Sequence, residues 1–280
     1  MRAYLSVDLE GINGIVHSSQ TQPGEPGYER SIGLMHEETN AVIRGLVNAG
    51  VDEILVNDSH WDMRNLRIEQ MHPKAHLTSG WQKPFSMVSG IQKDERPDFA
   101  IFIGYHARNG CATGVLSHTY RAQVFRDVKI NDVLVGETGL NAYLAGHFGV
   151  PIALITGDDA LEKECADLMG KVNNVVVKRA ISRYSACFRP QQEVIAELEE
   201  AAGRAAKAKD SWNLLKPPAP AKITISMADT SMADACELIP DVKRVNDRDV
   251  EFVHNDYSVT FRMMLALGAL GASRKDPYFS

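Results

Sequence analysis

The chain has 280 residues, of which 44% are hydrophobic and 24% charged, an ordinary globular composition that can build one large domain or two modest ones. Its formal net charge of −6 argues against a surface for nucleic acid or anionic membranes, because such surfaces need basic patches. Asp8 and Glu10 interrupt the N-terminal apolar run before a secretory signal could form, and no stretch approaches the roughly 20 apolar residues of a membrane span.

The cysteines are scattered along the chain and include no C-x-x-C pair. This spacing favours reduced thiols over a disulfide framework or a cysteine-ligated zinc site. Because reduced thiols and the lack of a predicted signal peptide agree, the sequence predicts a cytoplasmic protein. The four residues are Cys111, Cys165, Cys187 and Cys236.

Strand-like apolar segments alternate with helix-like segments over the first part of the chain. A strand at residues 3–8 precedes an amphipathic helical pattern at 36–50, which ends on Gly50 as a helix C-cap would. There follow strands at 52–58 and 98–107, a hairpin at 128–137 around Asn131-Asp132, a helix at 138–149 and a strand at 150–159. Continuous apolar strands separated by helices predict an α/β fold with a mostly parallel sheet covered by helices.

The pattern changes after about residue 180. A long Ala-, Glu- and Lys-rich helix is predicted at 191–210, a proline-rich turn leads into a strand within 214–227, and a closing helix is predicted at 258–272. We therefore expect a catalytic, metal-binding α/β domain at residues 1–182. A smaller C-terminal α/β domain at residues 183–280 would then serve specificity and oligomerisation.

Side chains that can ligate metals follow three of the predicted strands. Asp8 and Glu10 end the first strand. His60 follows the second strand and His106 the third. Ligands of open α/β sheets bind outside the carboxyl ends of the strands, so we expect these side chains in one crevice. Glu137, just before the next predicted helix, can join them.

The pair of carboxylates in this set points to bound cations. Asp8 and Glu10 are two residues apart and share one face of an extended chain, where their charges repel unless a cation or a proton neutralises them. Two nearby imidazoles favour a metal such as zinc over a proton. If one carboxylate bridges two ions, for which Asp8 is the better candidate, the five side chains supply three contacts to each ion. Water then completes two open catalytic sites.

Two further residues complete the predicted site. His118 lies in a glycine-flanked loop twelve residues after His106, and it can shuttle the proton that hydrolysis delivers to the leaving amine. Asp58 lies at the end of the second strand. Because ligating histidines usually donate their other N–H to a carboxylate or carbonyl, Asp58 is a candidate to support the ligands from outside.

Six motifs resemble those of the zinc-dependent D-aminopeptidases of the DppA type. They occur in the family's order over most of the chain: SVDLEG (6–11), VNDSH (56–60), KPFSMVSG (83–90), GYHA (104–107), GVLSH (114–118) and VGETGLNA (135–142). The resemblance implies that His118 is the catalytic residue. It also implies a metal-ligand set of Asp8, Glu10, His60, His106 and Glu137, the residues that the strand ends had already indicated.

The same resemblance implies an activity and an assembly. Members of the family remove an N-terminal D-residue, often D-Ala, from short peptides, and they do so with zinc. We accordingly expect two Zn²⁺ ions per subunit, a short peptide substrate and no nucleic-acid or membrane partner. The resemblance further implies a ring-like homodecamer whose inner channel leads to the active sites.

Two other functions are compatible with the residues. Asp, Glu and His at strand ends also suit a two-metal phosphoesterase, which the lack of basic residues close to the ligand motifs disfavours, although Arg108 and Arg121 are nearby. A non-catalytic metal- or peptide-binding protein would keep the ligands but would not need His118 on the rim. The residue patterns alone leave open whether His118 acts as a nucleophile or as a general acid and base.

Overall fold

The computed structural model describes residues 1–92 and 96–274. The strands are β1 (Arg2–Val7), β2 (Glu53–Asp58), β3 (Ala75–Thr78), β4 (Phe99–Ile103), β5 (Phe125–Ile130), β6 (Val133–Leu134), β7 (Ile152–Asp158), β8 (Asn174–Ser182), β9 (Ser185–Phe188), β10 (Ala221–Met227), β11 (Lys243–Arg244) and β12 (Asp249–His254). The α-helices are α1 (Tyr28–Asn48), α2 (Glu137–His147), α3 (Asp159–Met169), α4 (Gln191–Lys207), α5 (Thr230–Cys236) and α6 (Tyr257–Ala272).

A seven-stranded sheet forms the centre of the molecule, in the order β3-β2-β1-β4-β7-β8-β9. Its strands are parallel except for β9, which pairs antiparallel with β8. Every residue of β4 and β7 is buried, which explains their largely apolar sequences, because helices or loops cover both faces of such strands. The predicted α/β class with a mostly parallel sheet is confirmed.

The helix predicted at residues 36–50 is α1, and it begins earlier, at Tyr28. Tyr28, Ile32 and Met35 continue its buried stripe at helical spacing. The helix ends at Asn48, and Gly50 follows with a φ of 83°, a left-handed conformation that glycine adopts without steric cost. α1 packs against α4, and residues of both helices share one hydrophobic core with β1.

A second sheet of five strands lies beside the first, in the order β11-β12-β10-β5-β6. The predicted hairpin is confirmed as β5 and β6, which pair antiparallel. Asn131 and Asp132 in its turn have φ values of 45° and 69°, as a two-residue turn matched to the strand twist requires. α6 contacts this sheet, and its Tyr257 hydroxyl donates to the Leu140 carbonyl of α2 at 3.2 Å.

The chain alternates between the two sheets rather than filling them in turn. β5 and β6 join the second sheet before residue 182, whereas β9 and α4 pack with the first sheet after it. The division into domains at 1–182 and 183–280 stays a prediction. Among the helices that the structure describes, none combines the length and apolar character needed to cross a membrane.

Glu38 is a buried carboxyl on the inner face of α1, where this helix meets the segment that follows β1. It has no exposed surface, and one of its oxygens accepts the Asn13 N–H at 2.8 Å. Burial raises the pKa of Glu38 to about 8, although the Asn13 hydrogen bond and the Lys178 charge oppose the shift. The folded protein therefore keeps a proton on Glu38 at pH values where the unfolded chain has lost it.

This carboxyl makes stability depend on pH. Because the pKa is raised from 4.5 to about 8 on folding, the stabilising contribution is complete below pH 4.5 and is lost as the pH rises through 8, with a slope of at most about 1.4 kcal/mol per pH unit. The Glu38→Gln variant should lack this contribution to the slope of the unfolding free energy against pH. Urea unfolding of both metal-free proteins between about pH 5 and 7.5 measures it, and parallel free-energy curves would contradict the burial of an ionisable group here.

Candidate metal centre

The candidate centre lies where three adjacent parallel strands end. β2 and β4 flank β1 on its two sides, so the chain leaves β1 at the point where the strand order reverses. In doubly wound sheets this point opens a crevice for ligands. Asp8 follows β1 directly, His60 follows β2 by two residues, and His106 follows β4 by three.

Close packing of two loops brings Glu10 toward His106. The Gly11 N–H donates to the Gly104 carbonyl at 2.8 Å, and a Cβ built on Gly11 would lie 1.9 Å from the Tyr105 carbonyl oxygen. Only glycine permits this approach, because any side chain would collide with the neighbouring backbone. The glycine of SVDLEG thus sets the distance between the loop after β1 and the loop after β4.

Five of the predicted side chains converge in the crevice and are buried there. Ligand atoms of Asp8, Glu10 and His106 lie within 4.8 Å of one another. The Asp8 Oδ2 to His106 Nε2 distance is 3.5 Å. His60 joins them from β2, with Nδ1 3.2 Å from Asp8 Oδ1 and 3.0 Å from Glu10 Oε2. Glu137 joins from the first residue of α2, with Oε1 3.6 Å from His106 Nε2.

His118 lies on the outer side of this cluster. Its Nε2 is 3.4 Å from Glu137 Oε1, and its ring stacks on that of His106 with centroids 4.2 Å apart. The side chain is 20% exposed, whereas those of His106 and Glu137 are 1% and 4% exposed. His118, His106 and Glu137 also lie within 4.8 Å of one another through their ligand atoms, so geometry alone allows His118 to be a ligand as well.

Backbone carbonyls orient all three histidine rings. His60 Nε2 donates to the Thr21 carbonyl at 2.7 Å. His106 Nδ1 donates to the Ala107 carbonyl and His118 Nδ1 to the Leu116 carbonyl, each at 3.0 Å. When the ring is neutral, as a metal ligand must be, a proton fixed on one ring nitrogen leaves the other with a lone pair. In each ring that free nitrogen faces the carboxylates.

The pKa values of the neighbouring Asp8 and Glu10 carboxyls are shifted in opposite directions. Burial, followed by the Glu10 charge, raises the pKa of Asp8 to about 7, although the His60 hydrogen bond opposes the shift. Burial also acts to raise the pKa of Glu10, but the His60 charge opposes it most strongly and the pKa is held well below its usual value. Near neutral pH, therefore, Glu10 is ionised while Asp8 is only partly ionised.

The histidines respond to the same charges. Burial lowers the pKa of His106, but the Glu137 carboxylate overrides it and raises the pKa to about 10. For His118, burial and then the His106 charge lower the pKa below 6.5. Burial raises the pKa of Glu137, yet the charges of His106 and His118 prevail and lower it. The carboxylates thus favour positive charge at the centre of the cluster, whereas His118 is neutral near pH 7.

Unpaired atoms at the centre fit a bound cation. Asp8 Oδ2, Glu10 Oε2 and His106 Nε2 are fully buried and form no hydrogen bond of suitable geometry with any residue in the described part of the chain; their close contacts are with other members of the cluster. Such atoms are costly inside a protein unless a partner satisfies them. Carboxylate oxygens together with imidazole nitrogens are a donor set suited to zinc. The residues present fit a metal centre.

Asp58 is buried near the centre but contacts no histidine ring. Its carboxylate accepts the Asn65 N–H at 2.6 Å, the Asn65 side-chain amide at 2.8 Å and the Leu66 N–H at 2.7 Å. The same Asn65 amide donates to the His60 carbonyl at 2.7 Å. Asp58 was expected to accept a ring N–H of a ligating histidine. It instead holds Asn65, which bonds the His60 backbone carbonyl, and backbone carbonyls accept the ring N–H groups.

Several residues around the centre were not predicted to have a role there. The Tyr105 hydroxyl bonds Ser6 Oγ at 2.7 Å and the Asn141 side chain at 3.1 Å beneath the ligands. The fully buried Lys178 donates to three carbonyls of the segment after β1. A lysine within the apolar run of β8 is visible in the sequence, but its partners lie more than 160 residues away.

Comparison with known proteins identifies the family. A family model described as D-aminopeptidase matches residues 1–266, and the chain belongs to this family. A D-aminopeptidase of Bacillus subtilis (strain 168) is 39% identical over 272 residues, covering 96% of this chain and 97% of the relative. The solved structure of the Zn-dependent D-aminopeptidase DppA from Bacillus subtilis, described as a self-compartmentalizing protease, superposes with a TM-score of 0.93 at 38% identity and covers 99% of both chains.

Proposed function

We propose that the protein is a metal-dependent aminopeptidase that removes the N-terminal D-residue from short peptides. One observation carries the proposal: in a chain of the D-aminopeptidase family, buried Asp8, Glu10 and His106 present unpaired ligand atoms to one point. The zinc dependence of the similar Bacillus subtilis enzyme supports zinc as the metal. Any alternative function must also account for these buried ligand atoms, which have no hydrogen-bond partner among the described residues.

We assign two zinc ions to five ligands. Asp8, Glu10 and His60 form one side of the cluster, with His106 and Glu137 on the other. Asp8 contacts residues of both sides, which makes it the best bridging candidate. When bound, the ions would polarise the scissile carbonyl and activate water as Lewis acids.

His118 supplies the proton transfer in this proposal. Its Nδ1 proton is held by the Leu116 carbonyl, so Nε2 is the nitrogen available for chemistry. A ring whose pKa is lowered by burial and by His106 is neutral near pH 7 and can accept a proton at Nε2. It can then release that proton to the leaving amine, as a general base followed by a general acid.

The assembly, the size of the substrate and the cellular location belong to the same proposal. The description of the Bacillus subtilis relative as self-compartmentalizing supports a homo-oligomer, and we keep the decamer of the sequence-based expectation as its form. An enclosed chamber admits short peptides and excludes folded chains. A cytoplasmic location, expected from the cysteines and the N-terminal sequence, also stays a prediction.

Three substrates and a chelator test the function. We expect the zinc-loaded protein to release p-nitroaniline from D-Ala-p-nitroanilide but not from L-Ala-p-nitroanilide, and to leave bis(p-nitrophenyl) phosphate intact. Chelator should abolish the release and added Zn²⁺ should restore it. Cleavage of the phosphodiester alone would favour the phosphoesterase, and no turnover of any substrate would favour a binding protein. Release that survives complete metal removal would contradict a metal-dependent mechanism.

A further inference from the structure

The segment that carries His118 is held in an unfavourable backbone conformation. Leu116 is buried, with 6% exposure, and has a φ of 49°. A residue with a branched side chain rarely adopts this left-handed conformation, so the surroundings must impose it. Asp158 contributes by accepting the Val115 N–H on Oδ2 at 2.8 Å. Further contacts come from the tip of the β8–β9 hairpin.

Leu116 connects this hairpin to His118 through its own peptide groups. Its N–H donates to the Arg183 carbonyl at 2.8 Å. Its carbonyl accepts the Nδ1 proton of His118 at 3.0 Å. The backbone of the hairpin tip therefore fixes the residue whose carbonyl orients the His118 ring.

The Arg183 side chain holds the next residue of the same segment. Its Nη1 donates to the Ser117 carbonyl through a short hydrogen bond and lies 3.2 Å from Ser117 Oγ. The guanidinium also sits 5.7 Å from the centroid of the Tyr184 ring, which restricts its rotation. Ser117 is 1% exposed, so this contact is made with a buried backbone group directly before His118.

We propose that Arg183 is a positioning residue for His118. The inference rests on the proposed role of His118 as the proton-transfer residue. Among the hydrogen bonds and ion pairs of the described residues, none joins Arg183 to the His118 ring or to an assigned ligand. Arg183 holds Leu116 and Ser117, which in turn place His118 Nε2 3.4 Å from Glu137 Oε1. The β8–β9 hairpin, although remote in sequence from His118, thus sets the position of the His118 ring.

Arginine suits this task better than lysine. The planar guanidinium presents several N–H groups in a fixed geometry, so it can contact a carbonyl and a hydroxyl of one residue and stack on an aromatic ring. A lysine ammonium has a similar reach, yet it lacks the planar face. Arg183→Lys should therefore restore part of what Arg183→Ala loses.

The same hairpin provides a matched control. Arg179 lies in β8, is exposed, and makes no side-chain hydrogen bond or ion pair with any residue within 1–92 and 96–274. We expect Arg183→Ala to lower kcat on D-Ala-p-nitroanilide by about 10–100-fold, with KM changed by less than about twofold and with zinc content unchanged. Arg183→Lys should be intermediate, and Arg179→Ala should match the wild type.

Hydrogen exchange provides a second readout that does not depend on activity. In zinc-loaded protein the amides of residues 114–118 should exchange faster in Arg183→Ala than in wild type or in Arg179→Ala. Unchanged exchange and unchanged kcat in Arg183→Ala would overturn the proposal. Equal losses in both alanine variants, or loss of zinc from Arg183→Ala, would also overturn it. If wild type fails to cleave the D-substrate, the proposed function fails, while the exchange result still decides whether Arg183 orders the segment.

Discussion

Replacement of His118 by alanine is expected to lower kcat on D-Ala-p-nitroanilide by about 10²–10⁴-fold without loss of zinc. The ring lies on the exposed side of the cluster, and its Nε2 is the nitrogen free to exchange protons. Five other side chains remain to hold the ions. Elemental analysis of the purified variant, followed by steady-state kinetics, measures both quantities.

Two further variants sharpen this result. Asp8→Ala removes the carboxylate that contacts both sides of the cluster, so it should lose zinc and activity together. His76→Ala removes an exposed histidine of β3 and should behave as wild type. Because His118 also lies within ligand distance of His106 and Glu137, loss of zinc from His118→Ala would reassign it as a ligand. Wild-type kcat in that variant would remove its proposed role.

Replacement of Lys178 by methionine is expected to reduce the free energy of unfolding by about 3 kcal/mol or more. The Lys178 ammonium has no exposed surface and donates to the carbonyls of Glu10, Ile12 and Ile15 at 2.5, 2.8 and 2.7 Å. Methionine fills a similar volume but leaves three buried acceptors without their donor. Burial lowers the pKa of Lys178 to about 8, so near neutral pH the wild-type side chain keeps its proton.

Urea unfolding of the metal-free proteins separates this effect from metal binding. Lys171→Met, an exposed position just before β8, serves as the control and should change the free energy of unfolding by less than about 0.5 kcal/mol. Since Lys178 fastens the segment that carries Glu10, the methionine variant should also bind zinc more weakly in a competition titration. A Lys178→Met protein as stable as the control would show that the three carbonyls find other donors.

Much of the fold and the candidate ligands could be predicted because the sequences of β1, β4 and β7 are almost continuously apolar. Such runs indicate parallel strands buried on both faces, and parallel strands bring their carboxyl ends to one edge. Asp8, His60 and His106 were found in this way, without knowledge of any contact between them. Their metal-binding roles remain a proposal that the variants above address.

Other features could not be predicted, since they depend on contacts between distant parts of the chain. The pairing of β5 with β10 connects residues about 100 apart, and strand periodicity carries no information about which partner a strand chooses. The loop that carries His118 has no periodicity at all. Arg183 and Lys178 act on backbone carbonyls, which every residue possesses, so no side-chain pattern in the sequence identifies their partners.

The spread of the five candidate ligands along the chain bears on how the protein is made. The first ligand is residue 8 and the last is residue 137, and β1 reaches its neighbour β4 only after some 90 further residues have been added. A chain still emerging from the ribosome therefore lacks a complete centre until Glu137 has been synthesised. If the protein is a peptidase, its hydrolytic activity is therefore absent from unfinished chains and from N-terminal fragments that end before Glu137.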